Sequence, residues 1–226
     1  MNQTVTALVP MRHGSERVPG KNYRSFAGRP LYHHVVRMLL ACPLIGRVVI
    51  DTDSHFIMED AAANFPEVLL MERAAHLRDG DTPMNEVLLH DVKLLPGEWF
   101  LQTHCTNPLL KSETIGAALE RFFAALPEFD SLFTVTAVRS RFWDLRGRPL
   151  NHNPMRLMRT QDLEPIFEEN SNLYLFSREL LIKHGNRIGE KPLMFEIDRL
   201  EAVDIDEELD FTFAEFLFRE RERVVL

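Results

Sequence analysis

Arg12, Arg17 and Lys21 fall in one short stretch, MRHGSERVPGKNYRSFAGRPL, directly after an apolar run at the start of the sequence. Cations interleaved with Gly14 and Gly20 suit an anionic ligand, because glycine lets backbone N–H groups come close to phosphate oxygens. The stretch is not a Walker A loop. Gly14 and Gly20 enclose five residues rather than four, and Asn22 stands after Lys21 where a magnesium-binding hydroxyl belongs. No GxGxxG is present, so a dinucleotide site has no support. A second group lies near the other end: Asp204 and Asp206 in AVDIDEELDF. Two carboxylates at i, i+2 on a strand share a face and supply the hard oxygen ligands Mg²⁺ takes beside phosphates. The same spacing also fits a second reading, with Asp206 as N-cap of a helix starting at Glu207 and the other acids solvated.

These residues need a scaffold that brings the two ends of the chain together. Brief apolar runs at Thr4–Pro10, Arg47–Asp51, Glu67–Met71, Glu98–Gln102, Ser131–Val138, Asn172–Phe176 and Ala202–Ile205 read as strands. Segments with apolar residues three and four apart, at Pro30–Ala41, His55–Asn64, Asn85–Leu95, Lys111–Ala125 and Glu207–Phe218, read as helices. Strand and helix in alternation predict an α/β fold with a mostly parallel sheet and helices on both faces. The basic loop then follows the first strand, where strand C-termini and helix N-termini converge in such folds. Arg139–Glu169 breaks the rhythm, yet Phe142, Trp143, Leu157, Met158 and Ile166 are too apolar for a solvated linker. It reads as an ordered excursion packed on something, such as a second subunit; a flexible basic loop at Arg139–Arg148 is the competing reading.

Composition sets the outer bounds. The chain has 226 residues, 45% hydrophobic and 27% charged, which suits one soluble domain over residues 1–226 rather than a disordered or fibrous chain. A net charge of −8 argues against general nucleic-acid or anionic-membrane binding. Two distant cysteines outside any CxxC argue against a disulfide framework or a zinc ribbon, and the opening residues lack the pattern of a signal peptide. A cytoplasmic location is therefore expected. His33 and His34, on the first helix, read as packing residues, and the phenylalanines at 122, 123, 211, 213, 216 and 218 as core or interface. RERERVVL reads as a solvated helix tail.

VPMRHGSERVPGKNYRSFAGRPL resembles the opening motif of the acylneuraminate and related cytidylyltransferases, which form CMP-sugars from CTP. Arg12, Ser15, Arg17, Pro19, Gly20, Lys21 and Asn22 stand at matching positions. VVIDTDS, Arg73 with Asp81–Asn85, LQTHCTNPL, FEENSNLYLF and VDIDEELDF are similar to later blocks, so nearly the whole chain is covered. The resemblance implies a Rossmann-like three-layer nucleotidyltransferase fold, a homodimer, and Mg²⁺ held by Asp204 and Asp206. It implies that Arg12, Ser15 and Lys21 hold the triphosphate, with Arg17 and Asn22 beside it. Arg73, Thr82 and Asn85 would bound the cytosine and ribose. Lys21 and Arg12 would stabilise the leaving pyrophosphate, and Asp206 would act through the metal. Gln102 and Asn170 would face an acidic acceptor. Cys105 reads as a small buried residue rather than a nucleophile, Asp210 as structural, and Asp198 as a looser metal candidate.

The acceptor side departs from that pattern. Members that bind a sugar carboxylate carry Arg-Pro-Asn where this chain has Glu168, Glu169 and Asn170. An Arg-to-Glu change removes a bidentate donor and reverses the local charge. Either another arginine holds the acid, with Arg159 the first candidate, or the acceptor differs, for instance an amino-bearing molecule, a small phosphonate or another sugar acid. The branch acting on 3-deoxy-octulosonate carries an acid in its Gln-Gly-Asp-Glu-Pro block that LQTHCTNPL lacks. A glycosyltransferase would place its Asp-x-Asp mid-chain, and a nucleotide-binding homologue without chemistry is the non-enzymatic rival.

Overall fold

The computed structural model describes residues 4–225 of the chain. The first three residues of the opening segment and the last residue of RERERVVL lie outside them. β1 (Val5–Met11) leads into a single helical turn at Lys21–Tyr23 and a short hairpin, β2 (Ser25–Phe26) with β3 (Arg29–Pro30). α1 (Leu31–Ala41), β4 (Ile45–Thr52), α2 (His55–Asn64), β5 (Leu69–Glu72), α3 (Met84–Leu94), β6 (Trp99–Thr103), α4 (Ser112–Ala124) and β7 (Ser131–Val138) then alternate. β8 (Ile166–Ser177), α5 (Arg178–His184), β9 (Pro192–Glu196) and α6 (Glu208–Val225) complete the chain.

The sheet has seven strands in the order β5-β4-β1-β6-β8-β7-β9. All neighbours pair in parallel except those of β8, which runs antiparallel to both β6 and β7. β1 is buried along its whole length, as a central parallel strand covered on both faces must be. Its pleat assigns the faces. Val5, Ala7, Val9 and Met11 pack with Val35 of α1, Ile57 of α2 and Ile115 of α4. Leu8 points the other way, to Leu88 of α3 and Leu180 of α5. The expected three-layer α/β architecture is present. A third apolar cluster ties Val18, Phe26, Leu31, Leu109 and Ile205 to Phe211 and Phe218 of α6, so the C-terminal helix packs against the basic loop.

Four expectations need correction. Ala202–Ile205 is not a strand: the Ile205 N–H donates to the Thr106 carbonyl at 3.0 Å, outside any ladder. A four-residue apolar run cannot by itself distinguish a strand from an extended segment pinned at one point. The C-terminal end of the supposed excursion belongs to the sheet, because β8 starts at Ile166 and pairs Ile166–Glu169 with Val135–Val138. α5 and β9 are additional to the expected elements; α5 is short, and β9 opens on Pro192, a residue that argues against a strand unless it stands first. RERERVVL is not wholly solvated, since Arg221 donates to the Leu109 carbonyl at 2.6 Å. His33 and His34 pack as expected, on Asp60 and on the Phe26 carbonyl. Phe122, Phe211 and Phe218 are core, whereas Phe213 and Phe216 are exposed.

Candidate active site

β1 has β4 on one side and β6 on the other, so the direction of strand order reverses at its C-terminal end. Such a switch point leaves a crevice between diverging loops. Here it holds a cavity of about 610 Å³. Its walls include Arg12, Ser15, Arg17, Lys21 and Asn22 from the basic loop, Arg73 and Thr82, His104, Cys105 and Thr106 after β6, and Asp204 with Asp206.

The loop is held from beneath. Gly20 sits at φ 66°, a left-handed conformation that starts the turn carrying Lys21. Asn22 is buried; its Nδ2 donates to the Arg12 carbonyl at 2.7 Å, and its Oδ1 accepts from the Cys105 thiol at 3.0 Å. Asn22 is thus a tie between the loop and the end of β6, as well as part of the wall. Gly14 has open space around it and no positive φ, so close approach there is permitted rather than forced. At Gly80 the case is tighter, because a Cβ would come within 3.0 Å of the Arg12 guanidinium.

Arg73 is 3% exposed and donates through Nε to Asp51 Oδ2 at 2.6 Å, across from the cavity it lines. Burial raises Asp51, while the Arg73 charge and hydrogen bond pull it back down. Asp91 lies behind them with Oδ2 buried and unpartnered; burial, with the nearby Asp51 charge, pushes its carboxyl up to about 8 despite Arg73. Asp91 is therefore protonated at neutral pH. Burial likewise pushes the Cys105 thiol up to about 12, which leaves it inert at neutral pH, as expected of a small buried residue.

The carboxylate pair is brought to the loop by a different device from the expected strand. Lys21 Nζ donates to the Ile205 carbonyl and stands 3.9 Å from Asp206 Oδ1, which accepts from Arg17 Nη2 at 2.7 Å. Asp206 does not cap α6. Instead the backbone N–H groups of Asp206 and Glu207 donate to Asp210 Oδ2 at 3.1 and 2.8 Å, which gives Asp210 the structural role expected of it. Asp204 is half-buried, and its buried Oδ1 has no partner. Burial raises its carboxyl, Thr106 opposes by hydrogen bonding, and Asp206 raises it further. An orphaned buried carboxylate oxygen next to a second carboxylate is what a divalent cation would satisfy. Two protein oxygens with open positions suit Mg²⁺, which keeps waters and phosphate oxygens as its other ligands. Among the described residues no three His, Cys, Asp or Glu side chains converge into a closed metal cage. Asp198 does not line the cavity; its carboxylate accepts from the Leu200 N–H at 2.8 Å.

The remaining expected residues lie elsewhere. Arg159 is exposed and bound to Asp162 at 2.7 and 3.1 Å, so within one chain it is no part of the cavity. Asn170 is absorbed between strands, accepting from Thr134 and donating to Thr136. Asn85 holds a neighbouring loop through Asn186 and the Arg187 N–H. Gln102 is wholly buried, between Arg187 and His104. Glu168 is exposed on β8 and outside the cavity walls, so its charge reversal does not reach the pocket. Arg187, a half-buried arginine that donates to Gln102, was not singled out from the sequence; it stands behind the cavity wall rather than in it. No periodicity marks it, because it lies in the irregular turn between α5 and β9.

A Gly-containing cationic loop at the switch point of a doubly wound sheet, facing two carboxylates, defines a nucleotidyl-transfer class of site. The sequence matches the cytidylyltransferase family over residues 6–224, and the chain belongs to that family. It is 28% identical over 96% of its length to the post-translational flagellin modification protein B of Campylobacter coli, covering 96% of that protein. It is 27% identical to the CMP-N,N'-diacetyllegionaminic acid synthase of Legionella pneumophila, over 94% of this chain and 95% of that one. The structure of a CMP:2-keto-3-deoxy-manno-octonic acid synthetase complexed with CTP superposes with a TM-score of 0.68 at 14% identity, over 96% of this chain and 99% of that one. That last likeness is one of fold.

Proposed function

We propose that this cytidylyltransferase, acting as one catalytic unit, transfers CMP from CTP to the hydroxyl of an acylneuraminate-like 2-keto sugar acid and releases pyrophosphate. The observation that carries the reading is the single cavity wall shared by Arg12, Ser15, Arg17 and Lys21 on one side and Asp204 with Asp206 on the other. The acceptor oxygen attacks the α-phosphorus, the bond to the β-phosphate oxygen breaks, and pyrophosphate departs. Positioning and charge neutralisation supply most of the acceleration in such transfers. Lys21 and Arg12 neutralise the leaving pyrophosphate; among the described residues Arg12 has no ion-pair partner to give up. Arg17 is tied to Asp206, so it is released toward phosphate as that carboxylate takes another partner. Arg73, anchored on Asp51, and Thr82 bound the nucleoside.

Asp204 and Asp206 are the residues that would hold Mg²⁺, which would supply charge neutralisation and acidify the acceptor hydroxyl. We place the enzyme in the cytoplasm, with its CTP supply, as a homodimer. No helix among the described residues is long and apolar enough to cross a membrane. Leu145, Met155 and Leu157 of the excursion are almost fully exposed, and Trp143 and Leu150 largely so, which supports a second subunit covering them.

The test is pyrophosphate release with CTP and Mg²⁺ across N-acetylneuraminate, N,N'-diacetyllegionaminate, pseudaminate, 3-deoxy-octulosonate and small phosphonates. ATP, GTP and UTP serve as nucleotide controls. CTP-dependent release with a nonulosonate is expected. Release with a phosphonate alone would overturn the acceptor assignment and keep the nucleotide site.

A further inference from the structure

Arg187 is a guanidinium that the fold takes trouble to place. Ser177 caps the start of α5 by accepting from the Leu180 N–H at 3.0 Å, and Gly185 ends it at φ 63°. Asn186 Oδ1 then accepts from the Ile188 N–H at 3.2 Å, and Asn85 Oδ1 from the Arg187 N–H at 3.4 Å. The side chain that results lies over Tyr174, with its guanidinium carbon 3.6 Å from the ring centroid. Tyr174 is itself fixed, its hydroxyl donating to Glu169. Burial pulls Arg187 below the ordinary guanidinium value, and none of the ion pairs among the described residues includes it. The Glu169 charge acts on it without a direct ion pair, so the hydrogen bonds of this half-buried cation go to neutral groups.

Its hydrogen bond shows what it serves. Arg187 Nη1 donates to Gln102 Oε1 at 2.7 Å. An arginine can only donate, so the oxygen of the Gln102 amide must face it and the amide nitrogen must face away. That nitrogen is 3.0 Å from His104 Nε2. An amide N–H₂ can only donate, so His104 Nε2 must be the unprotonated acceptor and Nδ1 must carry the proton. Nδ1 has no hydrogen-bond partner among the described residues, and His104 lines the cavity beside Cys105, Thr106 and Ser171. Burial, with Arg187 and Lys21 nearby, also lowers the imidazole to about 4, which agrees with a neutral ring.

We propose that Arg187, acting through Gln102, is a positioning residue that locks His104 in the neutral Nδ1–H tautomer, and that this N–H donates to an oxygen of the acid acceptor. The assignment rests on the acceptor reading given above. It supplies a directed donor, with positive charge behind it, on the cavity wall beside Cys105, Thr106 and Ser171. It also explains why a histidine follows Gln102 at two residues' distance: the ring must meet the amide that Arg187 has oriented.

Two readouts separate the relay from the acceptor role. In histidine-¹⁵N-labelled protein, long-range ¹H–¹⁵N correlations should show His104 as a neutral Nδ1–H ring from pH 6 to 8. In R187Q, whose amide can also accept, that single tautomer should give way to a mixture, and R187K should restore it. An Nε2–H ring or an imidazolium in the wild type would overturn the relay, whatever the enzyme turns over. Kinetics then use the panel acid with the highest turnover. H104A and H104Q should raise its KM roughly 10-fold, the loss of about one hydrogen bond, with the KM for CTP unchanged. H104N, whose amide N–H falls near the position of Nδ1–H, should recover most of that loss relative to H104Q. Equal acceptor KM values for wild type and H104A would overturn the acceptor role. Wild-type silence with every acid would instead fail the acceptor reading itself, with the tautomer result still deciding the relay.

Discussion

At the scale of single residues, the site is a set of charges each held in a particular state by its surroundings. Asp204 has a buried oxygen without a partner, and Asp206 is neutralised by Arg17. Replacing Asp204 or Asp206 by Asn should cut kcat by roughly 100-fold or more while the protein stays folded, since the interaction lost is one with developing charge. Wild-type turnover in D204N, measured by pyrophosphate release, would remove the pair from the mechanism. Cys105, with its thiol held protonated, predicts the opposite: C105S should keep kcat within about 3-fold, because no covalent step passes through it. Asp91 gives a pH signature. Its carboxyl is raised to about 8 in the folded chain, so the native state binds a proton that the unfolded chain releases above its ordinary value of 3.8. The stability tied to that proton is full below the unfolded value and is lost as pH rises towards 8. Thermal melts should therefore show wild type losing stability between pH 5 and 8 relative to D91N. Parallel curves would mean that Asp91 is ionised in the fold.

Elements decide whether those residues meet. The basic loop was legible because its cations, glycines and Pro19 fall together after an apolar run, and a parallel sheet sends such a loop to a phosphate. Most strands and helices were legible for the same kind of reason: β1 and β4 are short and apolar, and α1 and α4 carry an apolar stripe. Asp204 lines the cavity, but not by the device that the spacing suggested. No strand presents it; Lys21 and Thr106 pin the chain at Ile205, and Asp210 satisfies the first N–H groups before α6. The Asp210 contacts are local, but the two that pin Ile205 come from Lys21 and Thr106, far off in the chain, and no local pattern encodes them. Arg187 was missed for a related reason. It gains its meaning from Tyr174 and Gln102 on two other strands, whereas Arg159 had only its neighbourhood in sequence to recommend it. D210A should uncap the start of α6 and lower stability by about 1 kcal/mol, or roughly 2–4 °C in Tm for a chain of this size. Calorimetry showing no change would make Asp210 dispensable.

For the whole molecule, the sheet gathers cavity-lining residues at one end of β1, β5 and β6 and leaves an excursion with exposed apolar side chains on the outside. Trp143 and Pro149 close a bridge within it, and Asp144 binds Arg148 at 2.6 Å, so the backbone turn over 143–149 is closed while Leu145, Met155 and Leu157 stay exposed. Covering them in a dimer accounts for an arrangement that would be a liability on a monomer. Sedimentation at micromolar concentration should give a dimer, and L145D together with L157D should give a folded monomer. A wild-type monomer would contradict the quaternary proposal while leaving the chemistry untouched.

The chemistry stands or falls on the product. ³¹P NMR of CTP and Mg²⁺ with N-acetylneuraminate, N,N'-diacetyllegionaminate or pseudaminate should show the three nucleotide phosphates replaced by pyrophosphate and one new phosphodiester signal. Mass spectrometry should then find one CMP joined to one acid. CTP left intact with every acid, in protein that melts cooperatively, or hydrolysed to CMP without a phosphodiester, would contradict transfer to an acidic sugar.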